Sequence, residues 1–221
     1  MKWIFVRHGE TKDNIGRVFA GHTDSKLSEK GERQVKFAAK KLHQKLKDRE
    51  QVSLYSSPLN RTKVLAEAVK RNLNQDRKSL TVSCSFMEAL KEVHFGVFEG
   101  LKQQEIESRY PREWQLLMEN YGNYSIPGGE TLEAFHNRVV HGFEIIRSQG
   151  SEKEIKVIIT HGGVIQSALI YFLDLPLESR WHFSIPNAGI VEIEVIEGFG
   201  ILKSICPPRD EDLQEPKGEG L

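Results

Sequence analysis

The chain has 221 residues, enough for one well-buried domain and short for two. Hydrophobic residues make up 38% and charged residues 28%, a composition that indicates a globular protein and argues against a disordered or membrane-spanning one. Lys plus Arg equals Asp plus Glu at 31 each. We therefore expect neither a nucleic acid nor a membrane as partner, since both need a clustered basic excess. Any anion-binding site must be local, built from a few basic residues in one pocket.

The cysteines and the N-terminus carry no signal for a metal, a disulfide or a membrane. Cys84 and Cys206 stand far apart and in no paired motif, which argues against a disulfide scaffold and a zinc site. The apolar run at residues 3–6 is too short for the core of a signal peptide or for a membrane span. We expect a cytoplasmic protein that uses no metal and no cofactor. The sequence leaves open whether it forms a homodimer.

Short apolar runs alternate with amphipathic stretches along the chain, which predicts an α/β fold. Its central sheet would be largely parallel and flanked by helices on both faces. In chain order, strands are predicted at 2–6, 53–56, 80–83, 156–159, 191–196 and 201–205, the last two joined by a turn at 198–200. Helices are predicted at 28–46, with Ser28 as N-cap, at 57–72, with Ser57 as N-cap and Pro58 in the first turn, at 131–148 and at 162–173.

The pattern indicates one domain over residues 1–206, with no internal repeat. Residues 100–129 interrupt the alternation with aromatic side chains between the basic residues Lys102, Arg109 and Arg112. Two interpretations of this insertion stay open, a lid over an active site and a helical segment that only packs on the sheet edge. Residues 207–221 are polar and charged, and we expect them to form a mobile tail.

Two histidines occupy matching positions at the ends of predicted strands. Arg7-His8-Gly9 follows the first strand directly, and His161-Gly162-Gly163 follows the strand at 156–159 and begins a helix. Ligands of α/β sheets bind beyond the carboxyl ends of strands, and helix N-termini present free N–H groups to anions. Either histidine alone would be unremarkable. The pair favours a functional site if the two strands are neighbours.

A third turn of the same kind contains Arg61. The segment Ser56-Ser57-Pro58-Leu59-Asn60-Arg61 passes from a predicted strand into a helix, so Arg61 can reach back toward the strand ends. A guanidinium matches phosphate oxygens in a fork geometry, so Arg61 and Arg7 together would suit a phosphate. The alternative for Arg61 is a salt bridge at the surface.

These segments resemble the motifs of the histidine phosphatase superfamily. That family includes cofactor-dependent phosphoglycerate mutases, fructose-2,6-bisphosphatases and small-molecule phosphatases such as α-ribazole phosphatase. The matching segments, in the family's order, are 7–31, 56–62, 90–100, 127–131 and 160–163. The resemblance extends over about 4–189, nearly the whole predicted domain, and it implies the phosphoglycerate mutase-like form of the α/β fold.

The resemblance also implies a role for individual residues. His8 would be the nucleophile that forms a phosphohistidine, and it has to be neutral to attack. Glu92 would give a proton to the leaving oxygen and later activate water. Arg7, Arg61 and His161 would hold the transferring phosphoryl oxygens. Further contacts to the substrate would come from Asn14, Arg17, Thr23 and Gly162.

Other carboxylates and histidines compete with these assignments. Glu88 and Glu99 flank Glu92, and the position of Glu92 four residues before Gly96 selects it. His94 is close to Glu92 in the chain and is expected to pack or hydrogen-bond locally. The remaining histidines show no metal-ligand spacing and are interpreted as structural: His22, His43, His136, His141 and His182.

The resemblance favours a phosphatase over a mutase. Mutases of the family usually carry Trp where this chain has Asp13, and Phe98-Glu99-Gly100 is closer to the Trp-Glu-Gly pattern of the phosphatase branch. We therefore expect a phosphomonoester hydrolase that acts on a small phosphorylated metabolite. The alternative is a cofactor-dependent phosphoglycerate mutase. A catalytically dead phosphate-binding module is disfavoured, because His8, Glu92 and His161 are all present.

Overall fold

The computed structural model describes residues 1–75, 82–120, 124–151 and 153–214. Its strands are β1 (Lys2–Arg7), β2 (Val52–Ser56), β3 (Cys84–Phe86), β4 (Ile155–Thr160), β5 (Ile190–Ile196) and β6 (Phe199–Cys206). Its α-helices are α1 (Lys12–Gly16), α2 (Glu29–Leu46), α3 (Asn60–Gln75), α4 (Gln103–Arg109), α5 (Pro111–Glu119), α6 (Leu132–Ser148) and α7 (Gly162–Phe172).

The strands form one sheet in the order β3-β2-β4-β1-β5-β6. β3, β2, β4 and β1 run parallel to one another, β5 is antiparallel to β1, and β6 is antiparallel to β5. The prediction of a largely parallel sheet is thereby confirmed. Because β4 lies between β1 and β2, the carboxyl ends of these three strands meet at one edge of the sheet.

Helices cover both faces of the sheet, as predicted. In β1, Ile4 and Val6 face the core beneath α2 and α3, whereas Trp3 and Phe5 face the core beneath α6 and α7. All four side chains are fully buried. A strand covered on both faces needs a continuous apolar run rather than an alternating one. This explains why residues 3–6 are all apolar.

Two predicted boundaries differ from the structure. The helix predicted at 57–72 is α3, which begins at Asn60 and not at Ser57. Asp24, from a distant loop, caps it by accepting from Asn60 N at 3.0 Å. The strand predicted at 80–83 begins at Cys84 instead. Val82 and Ser83 precede it as irregular chain, and residues 80 and 81 lie outside the described residues. The short helix α1 was not predicted.

The insertion at 100–129 contains α4 and α5 and shares a small apolar core with Phe98, which precedes it in the chain. Phe98, Ile106, Leu117 and Ile126 are buried together there. The insertion joins the loop after α1, where Phe19 N donates to Leu101 O at 3.0 Å. Movement of this segment as a lid stays a prediction. Tyr121, one of its aromatic residues, lies outside the described residues.

Part of the predicted C-terminal tail is ordered on the domain. Asp210–Leu213 forms one 3₁₀ turn, and the Leu213 side chain is buried beside α2. Residues 215–221 lie outside the described residues, so the mobility of the tail stays a prediction. Within the described ranges, no helix combines the length and the apolar character needed to cross a membrane.

Candidate active site

The two strand-end histidines lie side by side beyond the carboxyl ends of β1 and β4. His8 N donates to Thr160 O at 3.0 Å, and Ser57 N donates to Ile159 O at 3.0 Å. The loops after β1, β4 and β2 are therefore held together by main-chain hydrogen bonds. The rings of His8 and His161 lie 5.2 Å apart between centroids. The sequence predicted a functional site if the strands before the two histidines were neighbours. The structure shows that they are, because β1 pairs with β4.

His8 is buried and held as a neutral imidazole. Its Nδ1 lies 2.7 Å from Gly9 O. A carbonyl oxygen only accepts, so Nδ1 carries the proton and Nε2 keeps its lone pair. Burial lowers the pKa of His8 well below its ordinary value of 6.5, and the nearby charges of Arg7 and Arg61 lower it further. A neutral ring with a free lone pair is the form of histidine that can act as a nucleophile.

The position after His8 requires glycine because the loop packs tightly against the start of α2. A Cβ added at Gly9 would lie 2.5 Å from Gly31 O, closer than such atoms approach. A side chain at Gly9 would therefore push the loop away from α2. The carbonyl that fixes the tautomer of His8 would move with it.

His161 is neutral as well and has the opposite tautomer. Arg61 Nε donates to His161 Nδ1 at 3.3 Å, so Nδ1 carries no proton. The proton is on Nε2, which lies 2.8 Å from Ser57 Oγ and donates to it. Burial lowers the pKa of His161 well below 6.5, and Arg61, His8 and Arg7 lower it further. His161 therefore presents an N–H donor at the site.

Arg61 is buried and fixed at three points, which excludes the alternative of a surface salt bridge. Besides its bond to His161, its Nη1 donates to Thr23 O at 2.8 Å and its Nη2 donates to Gly21 O at 2.6 Å. These bonds use three of the five N–H groups of a guanidinium. The side chain is thus rigid, and because these three acceptors are neutral, the contacts do not neutralise its positive charge.

Arg7 reaches the same place from the end of β1. Its Nη1 donates to Ile185 O at 2.6 Å, and a Cβ added at Gly162 would lie 3.5 Å from the guanidinium carbon. In the part of the chain that the structure describes, Arg7 Nε is buried without a hydrogen-bond partner. A buried donor that is left unsatisfied is costly, and a bound anion would satisfy it.

Glu92 meets the start of α7 next to the two histidines. Its Oε2 accepts from Gly163 N at 3.2 Å, and its Oε1 accepts from Val93 N at 3.0 Å. A Cβ added at Gly163 would lie 2.3 Å from Glu92 Oε1, so only glycine leaves room for this carboxyl group. The charge of Glu92 acts on both Arg7 and Arg61.

The two competing carboxylates lie in other environments. Glu88 is 77% exposed and forms a surface ion pair with Lys91. Glu99 supports the loop that holds Arg61, because its oxygens accept from His22 N at 2.8 Å and from Thr23 Oγ1 at 2.7 Å. Of the three carboxylates, Glu92 is the one bound to the N-terminus of α7.

Of the four further substrate contacts predicted from the motifs, Asn14, Thr23 and Gly162 lie at the site and Arg17 does not. Asn14 joins the network, because its Oδ1 accepts from Asn187 Nδ2 at 3.1 Å and its amide group is left to donate. Thr23 acts through its carbonyl on Arg61, and Gly162 is the first residue of α7. Arg17 is exposed at the end of α1. In the described part of the chain, its side chain takes no part in the hydrogen bonds that join the other site residues.

Sequence reasoning missed three residues that support the site. Ser57 bonds to His161, whereas its position before a helix suggested a cap. Asn187 donates to His8 O at 3.3 Å, and no motif pointed to it. Arg138 donates to Glu130 at 2.7 Å and to Glu92 O at 3.2 Å. The motif match at 127–131 contained Glu130 but gave no hint of its partner.

The ion pair of Glu130 and Arg138 anchors the loop that carries Glu92. Arg138 Nη1 also donates to Ala89 O at 2.9 Å and to Lys91 O at 3.2 Å. Burial alone would raise the pKa of Glu130, but hydrogen bonds from Arg138 and His94 N outweigh it and lower the pKa. In the described ranges, no three His, Cys, Asp or Glu side chains come together in a way that would hold a metal ion.

A family model and several curated proteins match the chain. The family model "Histidine phosphatase superfamily (branch 1)" matches residues 3–206. Phosphoserine phosphatase 1 of Hydrogenobacter thermophilus is 29% identical over 203 residues, 91% of this chain and 90% of that protein. Adenosylcobalamin/alpha-ribazole phosphatase of Salmonella typhimurium is 27% identical over 203 residues, 92% of this chain and 95% of that protein.

A solved structure shares the fold. The crystal structure of a putative alpha-ribazole-5'-P phosphatase from Escherichia coli superposes with a TM-score of 0.80 at 23% identity, covering 94% of this chain and 96% of that one. The family model spans nearly all of the sheet and every motif of the site. The chain therefore belongs to the histidine phosphatase superfamily, branch 1.

Proposed function

We propose that this protein is a phosphatase that hydrolyses the phosphomonoester of a small metabolite through a phosphohistidine on His8. The observation that carries the proposal is the state of His8, a buried neutral ring with its Nε2 lone pair free. The side chains of Arg7 and Arg61, two fixed cations, lie beside it. A phosphoryl group bound by these cations would be in reach of a nucleophile that needs no prior deprotonation.

The proposed reaction has two steps. His8 Nε2 attacks phosphorus, the bond to the leaving oxygen breaks, and Glu92 gives that oxygen its proton. Arg7 and Arg61 offset the charge on the phosphoryl oxygens, and the Nε2–H of His161 exchanges Ser57 Oγ for a phosphoryl oxygen when the substrate binds. In the second step, the Glu92 carboxylate takes a proton from water, the water oxygen attacks phosphorus, and the bond to His8 breaks. Inorganic phosphate leaves, and both residues return to their first state.

The named relatives support hydrolysis of a small substrate. The phosphoserine phosphatase and the adenosylcobalamin/alpha-ribazole phosphatase are phosphatases by name, and the chain covers nine tenths or more of each. We infer the same class of reaction here. A phosphoglycerate mutase would use the same phosphohistidine but return the phosphoryl group to its substrate. Assays with 3-phosphoglycerate separate the two, because a mutase yields 2-phosphoglycerate and a phosphatase yields inorganic phosphate.

The test is to trap the phosphorylated enzyme. Rapid quenching with ³²P-labelled p-nitrophenyl phosphate should leave an acid-labile, base-stable label on the wild type. It should leave none on the His8→Ala variant, which should also lose nearly all turnover. His141→Ala is the matched control, because His141 is exposed on α6 and should keep both label and turnover. Label that persists on folded His8→Ala protein would exclude His8 as the nucleophile.

A further inference from the structure

A cavity of about 230 Å³ has Glu92 in its lining, and His8 is not among its lining residues in the described ranges. It lies where the leaving group of the proposed reaction would be, so its assignment to a ligand rests on the proposed function. Many of its lining side chains are apolar or aromatic: Phe95, Leu117, Tyr124, Ile126, Leu132 and Trp181. Its polar lining residues include Gln166 and Arg180. No motif of the sequence pointed to Arg180.

Arg180 is a buried cation held in a defined position. It lies in the 3₁₀ turn Leu177–His182 and is 5% exposed. Its Nη2 donates to Gln166 Oε1 at 3.1 Å. Its guanidinium carbon lies 5.7 Å from the ring centroid of Phe135 and 5.1 Å from that of Trp181, within the range of cation–π attraction. These contacts fix the orientation of the guanidinium at the cavity wall.

The guanidinium lies next to the proposed proton donor. A Cβ added at Gly163 would lie 2.3 Å from Glu92 Oε1 and 3.3 Å from Arg180 Nη2. The two side chains thus approach the same point at the start of α7. A leaving group that takes its proton from Glu92 would have its next few atoms close to Arg180.

The balance of charge in the cavity favours an anion. Among its lining residues in the described ranges, Arg180 is the basic one, and the acidic ones are Glu92 and Glu130. Glu130 is neutralised by Arg138, with oxygens 2.7 and 2.8 Å from its nitrogens. Glu92 is protonated, and so uncharged, when it is ready to act as an acid. Until Glu92 gives up its proton, the described lining residues therefore carry the positive charge of Arg180, with Glu130 paired to Arg138.

We propose that Arg180 selects substrates whose leaving group bears a carboxylate. A guanidinium binds a carboxylate through parallel hydrogen bonds, which are strong where water is excluded. The apolar and aromatic lining residues would hold the carbon atoms between the carboxylate and the ester oxygen. Because a water molecule occupies about 30 Å³, the cavity has room for roughly seven or eight groups of that size, such as one ring or a short chain.

The surface arginines of the insertion are the competing candidates for this role. Arg109 is 60% exposed and lies 3.7 Å from Glu105 on the same helix, and Arg112 is exposed on α5. Neither is among the described residues that line the cavity. Exposed charges contribute little to binding because water and salt screen them. Arg112→Gln therefore serves as the matched control for Arg180→Gln.

The experiment compares kcat/KM within pairs of substrates that differ in the carboxylate. One pair is 4-carboxybenzyl phosphate and benzyl phosphate, and the other is 3-phosphoglycerate and glycerol 3-phosphate. The wild type should prefer the carboxylate member of at least one pair. In Arg180→Gln that preference should fall by about 10- to 100-fold, the effect of losing a charged hydrogen bond. Arg180→Lys should keep part of the preference, and Arg112→Gln should keep all of it.

A ratio measured on one protein sample does not depend on the fraction that folds, so misfolding cannot imitate the result. An Arg180→Gln variant that loses the same factor on both members of each pair would show that Arg180 acts through Glu92 or the fold, and would overturn the proposal. So would a wild type that prefers neither carboxylate. The proposed function fails separately, if no substrate is hydrolysed or if His8→Ala still hydrolyses benzyl phosphate.

Discussion

Arg61 donates through Nε to Nδ1 of His161 at 3.3 Å, although the two residues are 100 positions apart in the chain. The bond fixes the tautomer of His161 and directs its N–H away from Arg61, toward Ser57 Oγ. One guanidinium thus sets the state of a histidine and also anchors the loop of Gly21 and Thr23. A substitution at Arg61 should affect more than charge.

We expect Arg61→Lys to lower kcat/KM by about 100-fold or more, a loss of the size seen when a donor to a transferring group is removed. Lysine keeps the charge but presents it as a point, and it cannot bond to His161, Thr23 and Gly21 together. Steady-state kinetics with p-nitrophenyl phosphate checks this. The control is Arg71→Lys, an exposed position on the same helix α3. If both variants matched the wild type, the geometry of Arg61 would be irrelevant to turnover.

The meeting of the strand ends could be predicted from the sequence, and the supporting contacts could not. A buried apolar run before each of His8 and His161 predicts a strand, and parallel strands bring their carboxyl ends to one edge. That argument needs only local patterns. Asn187 and Arg138 act through carbonyl oxygens that are distant in the chain. A single polar residue carries no periodicity, so nothing local identifies its partner.

The start of α3 was predicted wrongly for the same reason, because a residue distant in the chain determines it. Ser57 before Pro58 is a reasonable local N-cap, but its hydroxyl accepts from His161 in the folded protein. The first N–H of the helix is satisfied by Asp24 instead. Ser57 Oγ keeps a long local contact from Leu59 N at 3.4 Å, before the helix begins, and the tertiary contact to Asp24 sets the start of α3.

We expect Asp24→Ala to destabilise the start of α3. Asp24 accepts from Asn60 N at 3.0 Å and from Asn60 Nδ2 at 2.7 Å. Losing a helix cap costs about 1 kcal/mol in the free energy of unfolding. Urea denaturation measures this, with Asp48→Ala, an exposed position, as the control. Turnover should fall as well, because Arg61 follows Asn60 directly. A variant as stable as the wild type would show that Asp24 is not the cap.

The histidine environments predict a loss of stability in mild acid. Burial and the nearby arginines lower the pKa of His8 and of His161 well below 6.5, so the folded protein leaves both rings unprotonated at pH values where the unfolded chain binds protons. The free energy of unfolding should therefore fall as the pH drops below about 6.5, by up to about 1.4 kcal/mol per pH unit for each ring. Above that pH this contribution is constant.

Urea denaturation at pH 7.5, 6.5 and 5.5 measures the slope. His8→Gln should have a shallower slope than the wild type, because it removes one of the two rings. The titration of ring resonances by NMR should show His8 still neutral at pH 6.5. A His8 ring half protonated at pH 6.5, together with a slope that the variant does not change, would contradict the assigned environment.

Turnover should persist after metal removal. Arg7 and Arg61 supply the positive charge that Mg²⁺ supplies in other phosphoryl-transfer enzymes, and the neutral His161 adds an N–H donor. Activity toward p-nitrophenyl phosphate should be the same before and after dialysis against EDTA, and vanadate should inhibit by occupying the phosphate site. A loss in EDTA that a divalent ion reverses would contradict this prediction.

The assignment of Glu92 as proton donor makes a prediction about leaving groups. An aliphatic alkoxide is strongly basic and cannot leave readily without a proton, whereas p-nitrophenolate is weakly basic and hardly needs one. Glu92→Gln should therefore lose about 10²- to 10⁴-fold in kcat/KM on glycerol 3-phosphate and far less on p-nitrophenyl phosphate. The quantity kcat/KM reports the steps up to the first irreversible one, so slower hydrolysis of the phosphohistidine does not enter.

Glutamine keeps the size of the side chain, but its single oxygen can replace only one of the two carboxylate oxygens that accept from Gly163 N and Val93 N. A change in the loop that follows from this loss would act on both substrates alike. What glutamine also lacks is the acidic proton, and the dependence on the leaving group isolates that difference. Glu88→Gln, at an exposed position, should show no such dependence. Glu99→Gln is expected to lower activity on both substrates by similar factors, because Glu99 acts through Thr23 and the Arg61 loop. If Glu92→Gln lost the same factor on both substrates, Glu92 would support the structure of the site, as Glu99 does. Another group would then have to be the proton donor.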